Sequence, residues 1–366
     1  MERFQAAERE LLAFLSWVRR ETDAAVERLL PLDSEQISPI LLWPGETVDG
    51  AGLESRLIRA ISEPVRVIAD RGGKGWRSFT IAAACEVVGG EFLPFADWLA
   101  LPELLQVGSL IIDDVQDGSA ERRGGPACHV LVGIPLALSA GSAAYFCVQQ
   151  LMRDAPAAVR VQLYEEYVSL LRAAHVGQAL DVLGLEDEIA KVVAGDDTGR
   201  LVACVMETHR LKTGIPFRGS ARMGAWLGGG TQAQVTAVGD YFSALGLSFQ
   251  IVDDVLNFEG FEGVARRRGE DLAHGKVTLP VAVAMRRMGL GDRERLATLL
   301  KEARQDDAAR ALALTWIEEV GALEECRELA ASILGSAWPA LKEVVPASPA
   351  LARIEEFARQ LSSRVY

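Results

Sequence analysis

The chain has 366 residues, 49% of them apolar, with a formal net charge of −13 and a pI near 5.0. That much apolar material supports a large core and excludes disorder over most of the length, and the acidic balance argues against a nucleic-acid partner, whose binders carry basic faces. Any anionic ligand must be held by local cations or by metal.

Residues 2–30 read as an amphipathic helix, with Phe4, Leu11, Leu12, Leu15 and Val18 at helical spacing. Charges run throughout it, so it lacks the apolar stretch of a secretory signal. The segment 31–52 holds three prolines and three glycines and reads as an irregular arm. From residue 53 to 366 one helical domain is expected. Long Ala/Leu/Glu/Arg-rich stretches are broken by "DRGGKG", "GLGDR" and "VPASP", with little period-2 alternation. The expected class is all-α, a single large helical bundle.

"RGGKGWRS" (71–78) places Gly72 and Gly73 ahead of Lys74 and Arg77. Glycines let backbone approach an anion, and a helix start adds a favourable dipole, although a plain turn has the same composition. In "ELLQVGSLIIDDVQDGSAERRG" (103–124), a helix gathers Asp113, Asp114 and Asp117 on one side. Three like charges there repel one another unless a cation sits among them. Mg²⁺ takes one or two carboxylates plus water and phosphate oxygens, which suits this face; a water-facing acidic helix end is the alternative. Arg122 and Arg123 follow beyond the helix end. Their guanidinium forks can take phosphate oxygens bidentately, and a surface ion pair with Asp117 or Glu121 would account for them as well.

The uncharged run 130–151 approaches membrane-span length but contains Pro135 and several small residues, so a buried helix is expected and no transmembrane segment. Further on, "LGLSFQIVDDVLNFEG" (245–260) repeats the acidic arrangement with Asp253 and Asp254, and with Asn257 in the third place. Two such clusters after apolar helix read as two walls of one metal site, the second weaker because Asn257 offers only an amide oxygen. Lys212, Arg267 and Lys276 add cations next to Gly or Thr. Together these residues call for Mg²⁺ and a diphosphate between apolar helices. His129, His175, His209 and His274 show no metal-ligand spacing and read as structural. The five cysteines are scattered without a Cys-x-x-Cys pair, which fits a reducing cytoplasmic location.

Together with "GQALD" (177–181), "KTG" (212–214), "FQIVDDVLN" (249–257) and "GKVTLP" (275–280), these segments in this order resemble the trans-type isoprenyl diphosphate synthases, the polyprenyl synthetase family, from about residue 55 to the C-terminal region. The resemblance implies the isoprenoid synthase fold around a central apolar cavity, a homodimer, and Mg²⁺-dependent head-to-tail condensation of an allylic diphosphate with isopentenyl diphosphate. It implies that Asp113, Asp114, Asp117, Asp253 and Asp254 bind Mg²⁺, three ions once diphosphate is present, with Asn257 as the weaker donor. Arg122, Lys212, Arg267 and Lys276 would contact the allylic diphosphate. Lys74, Arg77, Gln106 and Arg123 would hold the diphosphate of isopentenyl diphosphate, and Thr213, Gln178 and Gln250 would join Lys212 at the reacting centre.

Gly75 stands where many relatives have Arg, Ser78 where many have Pro, Ile112 where His is frequent, and Arg267 for a common Lys. In the family, bulk beneath the first acidic motif limits product length. Gly108 and Ser109 are small, so growth beyond fifteen carbons to geranylgeranyl diphosphate is expected, with Tyr145 and Phe146 as the next candidates for a floor. Helix packing is the other explanation for the two small residues. Two rival readings are a terpene cyclase of the same fold and a low-activity partner subunit of a heteromeric synthase.

Overall fold

Helix follows helix through the computed structural model, which describes residues 2–33, 53–260 and 268–362. Among the described residues, the strands are the two-residue pair Glu121–Arg122 and Gly125–Pro126. The chain packs as two compact units. One gathers the described residues of 1–167, 220–235 and 346–354, the other those of 168–219, 236–345 and 355–366.

The first unit begins with the helix Glu2–Leu29. Leu11, Leu15, Val18, Ala25, Val26 and Leu29 recur every three or four residues and are buried, whereas Leu12 lies on the outer side. Phe14 meets Phe79 edge to face at 5.7 Å and Trp17 meets Phe92 at 6.3 Å, so the N-terminal helix is integral to this unit. The helix Trp76–Val87 packs just as tightly. A Cβ at Gly224 would lie 2.1 Å from the carbonyl oxygen of Ile81, and one at Gly228 2.5 Å from that of Cys85. Two glycines one turn apart thus admit backbone-to-backbone contact.

The acidic helix Ala100–Asp117 crosses the helix Ile134–Cys147 at Gly108 and Gly141. A Cβ on Gly108 would come within 2.6 Å of the Gly141 oxygen and 3.1 Å of Tyr145 Cε1. The missing side chain at Gly108 is therefore used by a helix crossing. The 130–151 run corrects its expectation of one buried helix. It forms Cys128–Val132, Ile134–Cys147 and Gln149–Asp154. Gly133, at φ +83°, breaks the first from the second, and Pro135 starts the second. Ala137, Ala140 and Ala144 are buried while Ile134, Leu138 and Phe146 are exposed, Phe146 to 70%.

In the second unit the helix Leu279–Arg287 is central. Every residue from Leu279 to Met285 is buried, as expected for a helix apolar all round. Around it lie Thr198–His209, the 236–259 part of Gln232–Glu259, Asp307–Glu319 and Ala322–Val344. Leu93–Asp117 and Gln232–Glu259 are apolar and long enough to cross a membrane by length and composition, but half or more of each is packed inside the fold.

Candidate active site

The first acidic helix stops where Gly118 turns left-handed (φ +67°) and donates its N–H to the carbonyl oxygen of Asp114. The chain then forms a two-residue hairpin whose central residues, Arg123 (φ +51°) and Gly124 (φ +74°), both have positive φ. That turn folds Arg122 back onto the helix. Its Nε donates to Asp114 Oδ1 at 2.9 Å, and Arg71 Nη1 clamps the hairpin through the oxygens of Arg122 and Pro126, each at 2.8 Å.

Asp114 is fully buried, and its second oxygen, Oδ2, has no hydrogen-bond partner. Burial pushes its carboxyl up from the usual carboxylate range despite Arg122. Arg122 is held above its ordinary value. Burial opposes its charge, but Asp114 outweighs burial, and Asp113 and Asp117 act in the same sense. Asp113 and Asp117 remain partly exposed on that side of the helix.

Arg123 is aimed elsewhere. Its Nη1 donates to the Ile68 oxygen at 3.2 Å and its Nη2 to Glu103 Oε1 at 2.9 Å, and a Cβ on Gly73 would lie 3.2 Å from Nη2. The Gly72–Gly75 loop and Arg123 are thus brought together, with Arg77 in the first turn of the helix that follows and Gln106 one turn beyond Glu103 on the acidic helix. Lys74 lies 4.6 Å over the Trp76 ring, and its carbonyl accepts from Arg19 Nε at 3.4 Å. Gly75 sits at φ +69° with Arg19 Cγ 3.2 Å from where a Cβ would be, which gives this departure from the family pattern a backbone reason. Ser78, buried, donates to the Leu99 oxygen at 2.9 Å.

The second acidic segment is wired differently. Asp254 Oδ2 accepts from the Leu279 N–H at 2.9 Å and bonds His209 Nε2 at 2.8 Å, while Oδ1 faces Gln250 Nε2 at 3.4 Å. Burial opposes charge on His209, yet Asp254 holds the imidazole above its ordinary value. Gln250 Oε1 accepts from Thr213 Oγ1 at 3.0 Å, so Thr213, Gln250, Asp254 and His209 form one polar chain. Asn257, 2% exposed, uses its amide oxygen on the Asp271 N–H at 3.3 Å. Asp253 is the partly exposed acid of this segment.

Lys212 lies in a π-helical turn, Arg210–Gly214, and donates to Asp181 Oδ2 at 2.7 Å; Lys276 Nζ stands 3.8 Å from the same oxygen. Gln178 is three residues before Asp181 on the helix Arg160–Leu183. Arg267 lies outside the described residues. A cavity of about 350 Å³, lined by Ile189, Val193, Val277 and Leu300, has Lys276 on its wall and none of the acidic candidates. Sequence reasoning missed Arg71, Glu103 and Asp181 and set His209 aside. For Asp181 the signal lay within the quoted "GQALD".

Magnesium fits this donor set. In the first unit Asp113 and Asp117 are partly exposed carboxylates on the helix whose Asp114 Oδ2 is unpartnered, and in the second unit Asp253 is a partly exposed carboxylate. Among the described residues no three His, Cys, Asp or Glu side chains form a ready-made cage. Mg²⁺ needs only one or two protein carboxylates, its octahedron being completed by water and phosphate. Asp254 and Asn257 fit less well, because their oxygens are already engaged.

Each unit of this all-α fold thus presents partly exposed carboxylates, with Arg122 in the first unit and Lys212 and Lys276 in the second. Residues 58–315 match the polyprenyl synthetase family. A short chain isoprenyl diphosphate synthase of Methanothermobacter thermautotrophicus is 33% identical over 78% of this chain and 86% of its own. A geranylgeranyl pyrophosphate synthase of Metarhizium robertsii is 29% identical over 86% of this chain and 91% of its own. The geranylgeranyl pyrophosphate synthetase structure from Pyrococcus horikoshii superposes with a TM-score of 0.81 at 24% identity, covering 98% of this chain and 99% of that one, and shares the fold. The chain belongs to the polyprenyl synthetase family and is a prenyltransferase of the isoprenyl diphosphate synthase type.

Proposed function

We propose that the chain extends an allylic diphosphate with isopentenyl diphosphate in an Mg²⁺-dependent reaction, and that its product is geranylgeranyl diphosphate. The observation that carries this reading is the pair of acidic segments, each with a partly exposed first aspartate and each in a unit that also holds partly buried cations, Arg122 in one and Lys212 and Lys276 in the other, in a chain one third identical to a short chain isoprenyl diphosphate synthase. Asp113, Asp117 and Asp253 are the metal ligands, with Asp114 Oδ2 as an inner donor. The metal, when bound, neutralises charge that builds on the departing diphosphate.

Arg122, Lys212 and Lys276 hold the allylic diphosphate, and Lys74, Arg77, Gln106 and Arg123 hold the co-substrate. Glu103 fixes the Arg123 fork through its 2.9 Å bond, so that guanidinium is oriented before the anion arrives. Thr213 turns the Gln250 amide so that its oxygen is occupied and its NH₂ faces Asp254. These groups present fixed dipoles to the developing allylic cation, and apolar walls keep out the water that would capture it.

Relatives named as geranylgeranyl pyrophosphate synthases support the twenty-carbon product. Ser109, small and exposed, leaves room for it, whereas Gly108 is taken by helix packing. The exposed apolar face of Ile134, Leu138 and Phe146 is proposed to be covered by a second copy. The five unpaired cysteines favour a cytoplasmic setting. Purified chain with Mg²⁺, farnesyl diphosphate and labelled isopentenyl diphosphate is expected to yield a twenty-carbon diphosphate by mass spectrometry. A hydrocarbon would instead identify a cyclase, and no product a partner subunit.

A further inference from the structure

We infer that Asp181 is a positioning residue for the condensation: its carboxylate aligns the two ammonium groups, Lys212 and Lys276, that receive the allylic diphosphate. The inference rests on the reaction proposed above. The two lysines come from separate elements, the π-helical turn Arg210–Gly214 and the loop leading into the helix Leu279–Arg287. One oxygen, Asp181 Oδ2, meets Lys212 Nζ at 2.7 Å and Lys276 Nζ at 3.8 Å. Two like charges converging on one point repel, and each lysine has a flexible stem with much rotamer freedom to lose. A shared carboxylate removes the repulsion and restricts both.

Backbone packing builds in that reach. Gly177, one helical turn before Asp181, lies against the lysine turn so closely that a Cβ would be 2.5 Å from the Lys212 nitrogen. Only glycine lets the two backbones approach so closely, and Asp181 is thereby set at hydrogen-bond distance from Lys212. π-Helical turns are frequent at functional sites, and this one carries both Lys212 and Thr213. The three side chains are each about three-quarters shielded, with relative exposures of 25–30%, so water does not screen the pairing as it would at the surface. Burial alone would push the Asp181 carboxyl up, but Lys212 and then Lys276 more than offset it and hold it below its usual range.

A diphosphate entering between these lysines meets cations already in place, so the contribution of Asp181 falls on transition-state geometry more than on ground-state affinity. Its signature is therefore a loss in kcat without a matching rise in KM. Asp181→Asn keeps the shape and removes the charge; it is expected to lower kcat about 10- to 100-fold, with KM for each substrate within about threefold and the melting temperature nearly unchanged. Asp181→Glu keeps the charge and should recover part of the loss. Gly177→Ala leaves the carboxylate intact but pushes the helix off the lysine turn, and should lower kcat as well. A kcat within about threefold of wild type in Asp181→Asn, or a loss that Asp181→Glu shares in full, overturns the inference. Should wild-type protein fail to extend farnesyl diphosphate, it is the proposed reaction that falls; an active wild type with an unaffected Asp181→Asn overturns the positioning role alone.

Discussion

Asp114 and Asp254 hold the same place in two segments of nearly the same pattern, and both are buried, yet the fold satisfies them by different means. In the first unit a hairpin returns a guanidinium to one oxygen of Asp114 and leaves the other without a partner. In the second unit a backbone N–H, an imidazole and an amide share Asp254 among them. The third positions diverge too, Asp117 staying half-exposed while Asn257 secures the Asp271 N–H. An Asp-Asp pair at the end of an apolar helix therefore encodes two jobs. Its first member is left partly exposed, and its second ties the helix to a neighbouring element.

Removing the exposed acid tests that division most severely. Asp113→Ala is expected to cut the condensation rate about a thousandfold, about 4 kcal/mol of transition-state stabilisation, while leaving the melting temperature nearly unchanged. A large loss of stability in this variant would erase the distinction between the two members of the pair. Removing the anchor's partner should do the reverse. Arg122→Ala strands the Asp114 charge in the interior and should cost about 3 kcal/mol in urea unfolding; adding Asp114→Asn should restore much of that loss. His209→Ala leaves Asp254 its backbone and amide donors, so the same measurement should show about 1–2 kcal/mol. If His209→Ala cost more than Arg122→Ala, the ranking of the two anchors would be inverted.

Acid and base also separate the two. His209 is raised above its ordinary 6.5, so its stabilisation is fully present below about pH 6.5 and is lost as pH rises through the higher folded-state value. Asp114 is raised above 3.8, so its charge penalises folding at neutral pH, and that penalty is lifted only as pH falls through its folded-state value into the carboxylate range. Melting curves of chelator-treated protein should show the histidine dependence above pH 6.5, and His209→Ala should abolish it. A smaller effect separates the two units' handling of backbone. Gly75→Arg should destabilise by about 1 kcal/mol in urea unfolding, because position 75 is left-handed and Arg19 fills the adjacent space.

Much of this was legible along the chain. The N-terminal helix announces itself through Leu11, Leu15 and Val18, and the two acidic segments through carboxylates at helical spacing after apolar runs. What could not be read are pairings between distant residues. Asp181 meets lysines 31 and 95 positions away, and His209 meets Asp254 across 45. No local propensity records such contacts, because helix packing creates them. Gly108 shows the same limit from the other side. Its smallness was visible, but only the oxygen of Gly141 opposite it decides that the vacancy serves a crossing helix. The 130–151 run misled because composition sets average burial, whereas Gly133 and Pro135 set where the helix breaks.

The hairpin tip carries a tension of its own. Arg123 holds a left-handed backbone that glycine would adopt without strain, while its fork reaches Glu103 and the 68–69 carbonyls. Arg123→Gly would thus relax the main chain and forfeit the cation in a single step. By the reasoning that applies to Arg122, that loss would leave the Glu103 carboxylate largely buried without its cation, so the strained backbone at position 123 persists because the ion pair it permits stabilises the fold by more than the strain costs.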